Sequence, residues 1–451
     1  MSIDLSCVDW TDRLTTGRSL VPDLALNQVQ AARAVAVFNK LRLADVPGTP
    51  TLAEAGGDWF RDIVRALWGS LDPVTRARAI RELFLLVPKK NSKTTNGALM
   101  MLTALLLNER PNANFIMTAP VQDVAEIAFE AVHGAIALDP VLDKKLHVRA
   151  HLKTIVHRES KAELQIMTFD PSVLTGQKCH GVLIDELHVV AKMSKAPSAL
   201  RQLRGGMLPF PEAFLAIITT QSEDQPTGIF RNELNKARRI RDGKQPGAML
   251  PVLYEFPAEI QRSPGAEKGR ELWRNPEIWH LVTPNAGKSI EIPRLVEEMQ
   301  TAAATSDEEL RAWCSQHLNI EIGLALSADG WPGADFWEDN ADETLSLDAL
   351  LERSEVVVVG IDGGGLDDLL GVSVVGREIG TGRWLHWGHA WMHPIALERR
   401  KSEEQLYRDL EADGDLTIVE EIGDDVEAVA EVADVIQVGA RTDPGEGDRE
   451  R

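Results

Sequence analysis

A lysine-rich segment next to a predicted helix has residue types suited to holding phosphate groups. The segment Val87–Thr94 reads VPKKNSKT and follows a short apolar run. A phosphate-binding loop needs backbone N–H groups at a helix N-terminus, a lysine for the β- and γ-phosphate oxygens, and a hydroxyl for magnesium. Lys93 and Thr94 stand at the last two positions of such a loop, but Val87 and Ser92 replace its glycines. By itself the segment therefore fits either a nucleotide site or a basic strand-to-helix turn.

A second segment ends an apolar run in two acidic residues. Gly181–His188 reads GVLIDELH, so a strand here would present Asp185 and Glu186 at its carboxyl end. The aspartate can hold the hydration shell of magnesium, and the glutamate can polarise an attacking water. Apolar triplets followed by Asp-Glu occur in many unrelated proteins, so this pattern needs support from its neighbours.

A third segment supplies that support. Ala216–Ser222 reads AIITTQS and ends an apolar strand in Thr219 and Thr220, whose hydroxyls could sense a γ-phosphate and relay hydrolysis to movement. A further strand-helix unit is predicted between the first two segments. The three segments in this order predict a P-loop ATPase of the class that places an additional strand between its two nucleotide-binding strands.

Alternating short apolar runs and helical periodicities must position these segments. This alternation is typical of an α/β fold with a doubly wound, mainly parallel sheet, whose ligands lie at the carboxyl ends of the strands. A second, β-rich unit is predicted near the C-terminus. Strands are predicted at 83–87, 114–118, 163–168, 182–184, 213–219, 355–362, 370–376 and 383–391, and helices at 28–41, 59–68, 94–107, 121–138 and 402–412.

Composition excludes several protein classes. The 451 residues are 44% apolar and 26% charged, which rules out wholesale disorder, and the longest mainly apolar run, 98–107, is too short for a bilayer. No secretory signal is visible, and three widely spaced cysteines predict a reducing cytoplasm. The net charge of −21 excludes a uniformly basic DNA-coating protein. Residues 401–451 hold 17 acidic and 5 basic residues, so a local DNA-contacting surface elsewhere is not excluded.

The motifs in this order resemble the large terminase subunit of tailed bacteriophages, the ATP-driven motor and nuclease that packages DNA into the prohead. PKKNSKT fits the glycine-poor loop P-[RK]-K-N-x-K-[ST] of that family. Gly176–His188 resembles its segment ending in Asp-Glu-x-His, and AIITTQS is similar to its coupling motif. Thr283–Ile290 and Cys314–Glu338 resemble the connector before the nuclease.

The resemblance implies roles for individual residues. Lys93 stabilises charge on the β- and γ-phosphates, Thr94 and Asp185 position Mg²⁺, and Glu186 orients water. Thr219 and Thr220 couple hydrolysis to movement. ATP and Mg²⁺ are the implied cofactors. The implied partners are double-stranded DNA, the small terminase subunit, the portal protein and further copies in a ring, without a membrane, in the host bacterial cytoplasm. The implied nucleotide-binding residues are Lys89, Lys90, Asn91, Ser92, Lys93 and Thr94.

Four regions are expected along the chain. A helical lead-in covers 1–70, the ATPase core 71–255, and a helical connector 256–350. Residues 351–451 are expected to form an incomplete ribonuclease-H-like α/β domain with an acidic tail.

One aspartate of this last region resembles a nuclease residue. Asp362 is expected to end a buried strand where the family has its first metal-binding aspartate, a site for Mg²⁺ or Mn²⁺. Cleavage with two metals needs several converging carboxylates. A complete nuclease domain of this family has two further aspartates later in the chain. The only substitutes for them in this sequence are Asp424, Asp425 and Asp443. We therefore expect a truncated domain with little or no nuclease activity. The other interpretation is an exposed aspartate in a glycine-rich hairpin.

Other functional readings remain open. The chain could be an inactive prophage remnant without motor function, or a helicase-like nucleic-acid-dependent ATPase. Arg201 and Arg204 could act as an arginine finger on a neighbouring subunit, or be plain surface arginines. The basic helix 231–241 could contact DNA phosphates or be solvated. A zinc site is conceivable at three histidines of a predicted hairpin: His386, His389 and His393.

Overall fold

The computed structural model of the chain describes residues 3–174, 176–263, 270–322, 337, 340–342, 344–366, 368–400 and 403–439. The chain divides into two units, Met1–Phe336 and Trp337–Arg451. The finer division of the first unit into lead-in, ATPase core and connector stays a prediction.

An eight-stranded sheet forms the centre of the first unit. The strand order from edge to edge is β3-β4-β5-β2-β6-β7-β1-β8. All neighbours pair in parallel except β3 with β4 and β4 with β5. The predicted mainly parallel α/β fold is confirmed. The strands are β1 Glu82–Leu86, β2 Asn114–Ala119, β3 Leu146–Arg149, β4 Thr154–His157, β5 Glu163–Thr168, β6 Gly181–Asp185, β7 Phe214–Thr219 and β8 Met249–Leu253.

The helix Lys93–Leu107 packs directly on this sheet. Its sequence, KTTNGALMMLTALLL, is apolar on nearly all sides, and most of its side chains are buried. Gly97 allows the close approach, because a Cβ atom there would lie 2.8 Å from Ile218 Cδ1 and 3.0 Å from Leu183 Cδ1. The helix that begins at the lysine-rich loop is therefore fixed against β6 and β7.

Helices surround the sheet, and a smaller core lies beside it. Trp273, Trp279 and Trp313 are buried in this second core, together with residues of the helices Ile292–Thr305 and Asp307–Leu318. The other α-helices of the first unit are Trp10–Thr15, Gln28–Lys40, Leu52–Ala55, Asp58–Gly69, Gln122–Ala137, Pro140–Lys145, Pro171–Leu174, Leu187–Val190, Ala196–Met207, Gly228–Arg241 and Ala258–Arg262, and its 3₁₀ helices are Ala150–Leu152, Leu272–Arg274 and Pro276–Leu281.

A four-stranded sheet forms the second unit, in the order β12-β11-β10-β9. The strands β9, β10 and β11 form an antiparallel meander, and β12 pairs in parallel with β11. The strands are β9 Ser354–Gly363, β10 Leu369–Glu378, β11 Trp384–Met392 and β12 Leu416–Ile418, and the helices are Leu347–Arg353, Pro394–Arg399, Glu404–Asp413 and Asp424–Gly439. No helix in the described part of the chain is long and apolar enough to cross a bilayer.

The prediction that Asp362 ends a buried strand is wrong. β9 is an edge strand whose only partner among the described strands is β10, and much of it faces solvent. Val356 is 50% exposed and Val358 is 63% exposed, and Asp362 itself is exposed. A run of valines has the same appearance in a central and in an edge strand, because the sequence does not show which strands lie beside it.

Candidate nucleotide-binding site

The three predicted segments meet where three strands of the large sheet have their carboxyl ends. β7 lies between β6 and β1 and pairs in parallel with both. The carboxyl ends of all three strands therefore lie on the same side of the sheet. The lysine-rich loop follows β1, while β6 ends at Asp185 and β7 ends at Thr219. Topology thus brings together side chains that are about a hundred residues apart in sequence, as predicted for a doubly wound fold.

Asp185 and Thr94 form the first direct contact of the site. The Thr94 hydroxyl donates a hydrogen bond of 2.6 Å to Asp185 Oδ2. Asp185 Oδ1 is buried and has no hydrogen-bond partner among the described residues. Burial, and then the charge of Glu186, raises the pKa of Asp185 to about 7. A buried carboxylate oxygen without a donor, next to a hydroxyl, fits a divalent cation such as Mg²⁺.

Lys93 and Glu186 form the second contact. Lys93 Nζ lies 2.6 Å from Glu186 Oε1, and both side chains are largely buried. Burial by itself raises the pKa of Glu186, but the Lys93 ammonium and other basic side chains nearby together outweigh it, so the pKa is below its usual value and the carboxylate is ionised. Glu186 has a φ of 55°, in the left-handed region that costs a non-glycine residue on the order of 1–3 kcal/mol. The backbone therefore turns sharply at this carboxylate.

The end of β7 contacts the same carboxylate. The Thr220 hydroxyl donates to Glu186 Oε2 over 3.3 Å, and the Thr219 hydroxyl donates to the Thr220 carbonyl over 3.0 Å. His188 Nδ1 lies 3.1 Å from Thr219 Oγ1, and burial lowers the pKa of this histidine to about 4, so its ring is neutral. No role for His188 was predicted from the sequence, although the Asp-Glu-x-His pattern marked its position.

The lysine-rich loop turns without glycine. Lys90 and Ser92 have φ values of 68° and 55°, again in the left-handed region. Asn91 is fully buried, and its Nδ2 donates to the carbonyls of Pro88 and Lys89 over 3.1 and 3.3 Å. Left-handed residues that are not glycine require support from their surroundings.

Residues of the predicted connector give that support. The backbone N–H of Asn285 donates to Asn91 Oδ1 over 3.0 Å. The Ser289 hydroxyl donates to the Lys90 carbonyl over 2.5 Å. On the other side of the loop, the Lys89 amide N–H donates to the carbonyl of Gln316 over 2.8 Å. We call Thr283–Ser289 the connector loop. The only signals in the sequence for these contacts were the two connector segments of the family resemblance.

The connector also holds the end of the coupling segment. Gln316 Nε2 donates to the Gln221 carbonyl over 3.3 Å, and the Gln221 amide N–H donates to Asn319 Oδ1 over 3.1 Å. Asn319 Nδ2 in turn donates to the Tyr254 carbonyl over 2.8 Å. The lysine-rich loop and the end of β7 are therefore hydrogen-bonded to the same short stretch of chain.

The other candidate residues of the first unit are arranged for structure. Arg204 forms ion pairs with both Glu82 and Glu233, at 2.8 and 2.7 Å, so it is not available as an arginine finger. Arg201 is exposed. Three cations of the helix Gly228–Arg241 form ion pairs with acidic residues outside it: Lys236 with Glu82 at 3.3 Å, and Arg238 and Arg241 with Glu255 at 2.6 and 2.7 Å.

The candidate metal residues of the second unit do not converge. Asp424 Oδ2 accepts the Glu421 amide N–H at the start of the helix Asp424–Gly439, Asp425 lies in the first turn of that helix, and Asp443 lies outside the described residues. No group of three or more His, Cys, Asp or Glu that could hold a metal occurs in the part of the chain that the structure describes. The three histidines contact other groups: His386 lies near Ser373, His389 near Thr417, and His393 accepts the Ile395 amide.

Comparison with known proteins agrees with this geometry. Residues 58–239 match the family model described as terminase large subunit, ATPase domain. The crystal structure of the HK97 bacteriophage large terminase is similar with a TM-score of 0.53 and 17% identity, over 91% of this chain and 82% of that chain. The large terminase of a thermophilic bacteriophage in complex with ATP-γ-S has a TM-score of 0.35 and 12% identity, over 86% and 82%. No curated protein matches the chain. Residues 58–239 therefore match the ATPase domain of terminase large subunits, and the chain shares the fold of the HK97 large terminase.

Proposed function

We propose that the chain is an ATP-hydrolysing motor that packages phage DNA into the prohead. The supporting observation concerns four residues inside the segment matched to the terminase ATPase. They meet at the carboxyl ends of the strands and are Lys93, Thr94, Asp185 and Glu186. An α/β fold alone would not support this function, because similar folds serve many chemistries.

Each residue of the site has one task in this proposal. Lys93 binds the β- and γ-phosphate oxygens, with the loop from Lys89 to Ser92 around them. Thr94 and Asp185 hold Mg²⁺, which neutralises phosphate charge when bound. The unpartnered Asp185 Oδ1 supports this assignment.

Glu186 orients the attacking water. In the site without nucleotide its pKa is below the usual value and the carboxylate is ionised at neutral pH, and an ionised carboxylate can accept a hydrogen bond from water. A γ-phosphate competes with Glu186 for the Lys93 ammonium, whereas the Thr220 hydroxyl still holds the carboxylate. Binding of ATP therefore frees one side of Glu186 for water.

Coupling to movement starts at the same carboxylate. A change at Glu186 reaches Thr220 through their hydrogen bond, and the next residue, Gln221, is bonded to Asn319 of the connector. We infer that Thr219 and Thr220 link hydrolysis to connector movement. The working assembly in this proposal is a ring of copies with double-stranded DNA, the small terminase subunit and the portal protein, in the host bacterial cytoplasm.

The experiment that tests this function measures ATP hydrolysis and DNA movement together. The purified full chain should hydrolyse ATP faster with linear double-stranded DNA, and it should displace a third strand from a triplex without separating the duplex. Lys93→Ala should lose both activities, whereas Lys145→Ala, at an exposed lysine outside the site, should keep them. Duplex separation would favour the helicase-like alternative. No ATP hydrolysis under any condition would favour an inactive remnant.

A further inference from the structure

A cavity separate from the nucleotide-binding site lies at the opposite ends of the strands of the large sheet. It has a volume of about 370 Å³. Its lining residues include Arg78 before β1, Pro111 before β2, His180 before β6, and Phe214 at the start of β7. Because these strands are parallel, the cavity is at their amino ends, whereas the nucleotide-binding site is at their carboxyl ends.

A buried arginine forms part of the wall. Arg78 is only 7% exposed and lies over two neighbouring aromatic rings, 5.7 Å from the centroid of Trp68 and 5.1 Å from that of Phe214. Its guanidinium donates to the carbonyls of Glu212 and Leu67. It forms no ion pair with any residue that the structure describes. Burial lowers the pKa of Arg78 to about 9, so the side chain remains charged at neutral pH.

A histidine in the same wall has a buried donor without a partner among the described residues. His180 Nδ1 accepts the Asn114 amide N–H over 3.1 Å, and burial lowers the pKa of the ring. The proton of the neutral ring is therefore on Nε2. His180 Nε2 is buried and has no hydrogen-bond partner in the described part of the chain. A buried donor without an acceptor is costly, so a group that supplies one is stabilised here.

The two acidic side chains of the wall are already paired. Glu212 forms an ion pair with Arg110 at 2.5 Å, and Glu109 with Arg76 at 3.5 Å. Arg78 is thus the remaining cation of the wall, in a chain whose net charge is −21. The local charge favours an anion although the whole protein repels one.

We propose that this cavity binds a small organic anion, a carboxylate attached to a flat apolar group. The carboxylate supplies an acceptor for His180 Nε2–H and for the N–H groups of Arg78 that do not donate to Glu212 or Leu67, with the paired geometry that guanidinium and carboxylate prefer. The apolar group packs against Leu71, Ala104 and Phe115, which also line the cavity. The volume is within the range of small-molecule sites.

Calorimetric titration of the purified full chain tests this inference. The probes are benzoate, its neutral analogue benzamide and inorganic phosphate. Benzoate should bind with a dissociation constant of about 1 mM or lower, and benzamide and phosphate at least about tenfold more weakly, because each lacks either the charge or the apolar ring.

Two substitutions locate the site. Ala104→Leu fills the cavity from the helix Lys93–Leu107 without changing any charge, so it should abolish benzoate binding. Ala304→Leu is the matched control at an exposed helical position and should bind benzoate like the wild type. Arg78→Gln should weaken binding about tenfold.

Three results would overturn the inference: no benzoate binding up to about 10 mM, equal binding of benzoate and benzamide, or unchanged binding by Ala104→Leu. If Arg78→Gln fails to fold, the benzamide comparison and Ala104→Leu still decide.

Discussion

Asp185 carries an electrostatic cost that the fold retains at the nucleotide site. The carboxyl is completely buried, and its pKa is raised to about 7 by burial and by Glu186. A carboxyl whose pKa is raised on folding favours the folded state most at pH values below its unfolded pKa of about 3.8. That contribution is lost as the pH rises through the folded pKa near 7. Asp185 therefore destabilises the free protein at pH 8.

Replacing this carboxylate tests its cost. Without nucleotide and Mg²⁺, Asp185→Asn should be more stable to unfolding than the wild type at pH 8, by about 1–4 kcal/mol, and the gap should shrink toward pH 5. Thermal unfolding at both pH values measures this, with Asp45→Asn as an exposed control. A gap that does not change with pH would contradict the raised pKa.

Thr220 offers a separate test of coupling. Its hydroxyl bonds Glu186 but none of the loop residues, so Thr220→Ala should leave ATP affinity within about twofold and reduce DNA-stimulated hydrolysis about tenfold. Thr220→Ser keeps the hydroxyl and should retain most of the stimulation. Nucleotide binding and turnover are measured on the same preparations. A parallel loss of affinity in Thr220→Ala would make this threonine a structural strand end.

The residues of the site differed in how predictable they were. Lys93, Thr94 and Asp185 lie in local patterns whose chemistry can be identified from spacing. Asn285 could not be found in that way, because its partner Asn91 is 194 residues earlier in the chain. Arg78 and His180 have no local pattern at all, and only the packing of four strands brings them to one cavity.

The conformation of the lysine-rich loop depends on its contacts with the connector loop. Its residues Lys90 and Ser92 have left-handed conformations, and the connector loop bonds Lys90 and the residue between them, Asn91. A glycine-poor loop of this kind gains rigidity from contacts that a glycine-rich loop does not need. The sequence predicted both elements but not their contact.

This dependence predicts a loss of nucleotide affinity from a distant substitution. Asn285→Ala removes the side-chain bonds to Ser92 and Ser289, at 3.4 and 2.7 Å, and should weaken ATP binding about threefold to tenfold. The turnover of bound ATP should change less, because no catalytic group moves. Ala304→Leu, on an exposed connector helix, is the control. Unchanged affinity would show that the loop holds its conformation alone.

Strands were easier to predict than their neighbours. β1, β2, β5, β6 and β7 appear in the sequence as short apolar runs and were predicted within a few residues. The β3–β4 hairpin was missed, because four-residue strands give little periodicity, and the edge strand β8 was also missed. The exposed position of β9 follows from sheet order, which depends on tertiary packing.

The two units of the chain differ in what their structures support. The first contains a connected site and the segment matched to the ATPase domain. The second presents Asp362 on an exposed edge strand, and no metal-holding group occurs among its described residues. A single exposed carboxylate competes poorly with water for a divalent cation.

Plasmid cleavage tests the second unit. With Mn²⁺, the purified chain should not nick supercoiled DNA above the level of a protein-free control, and Asp362→Ala should behave like the wild type, because two-metal cleavage needs several carboxylates. Strong Mn²⁺-dependent nicking that Asp362→Ala abolishes would show a complete nuclease site.

The central claim is that Glu186 activates water for ATP held at Lys93. Single-turnover hydrolysis by Glu186→Gln tests it most directly, because this change removes the charge and keeps the size of the side chain. We predict ATP binding within about threefold of the wild type and hydrolysis of bound ATP slower by about 10²–10⁴-fold. Hydrolysis at the wild-type rate by Glu186→Gln would contradict the account.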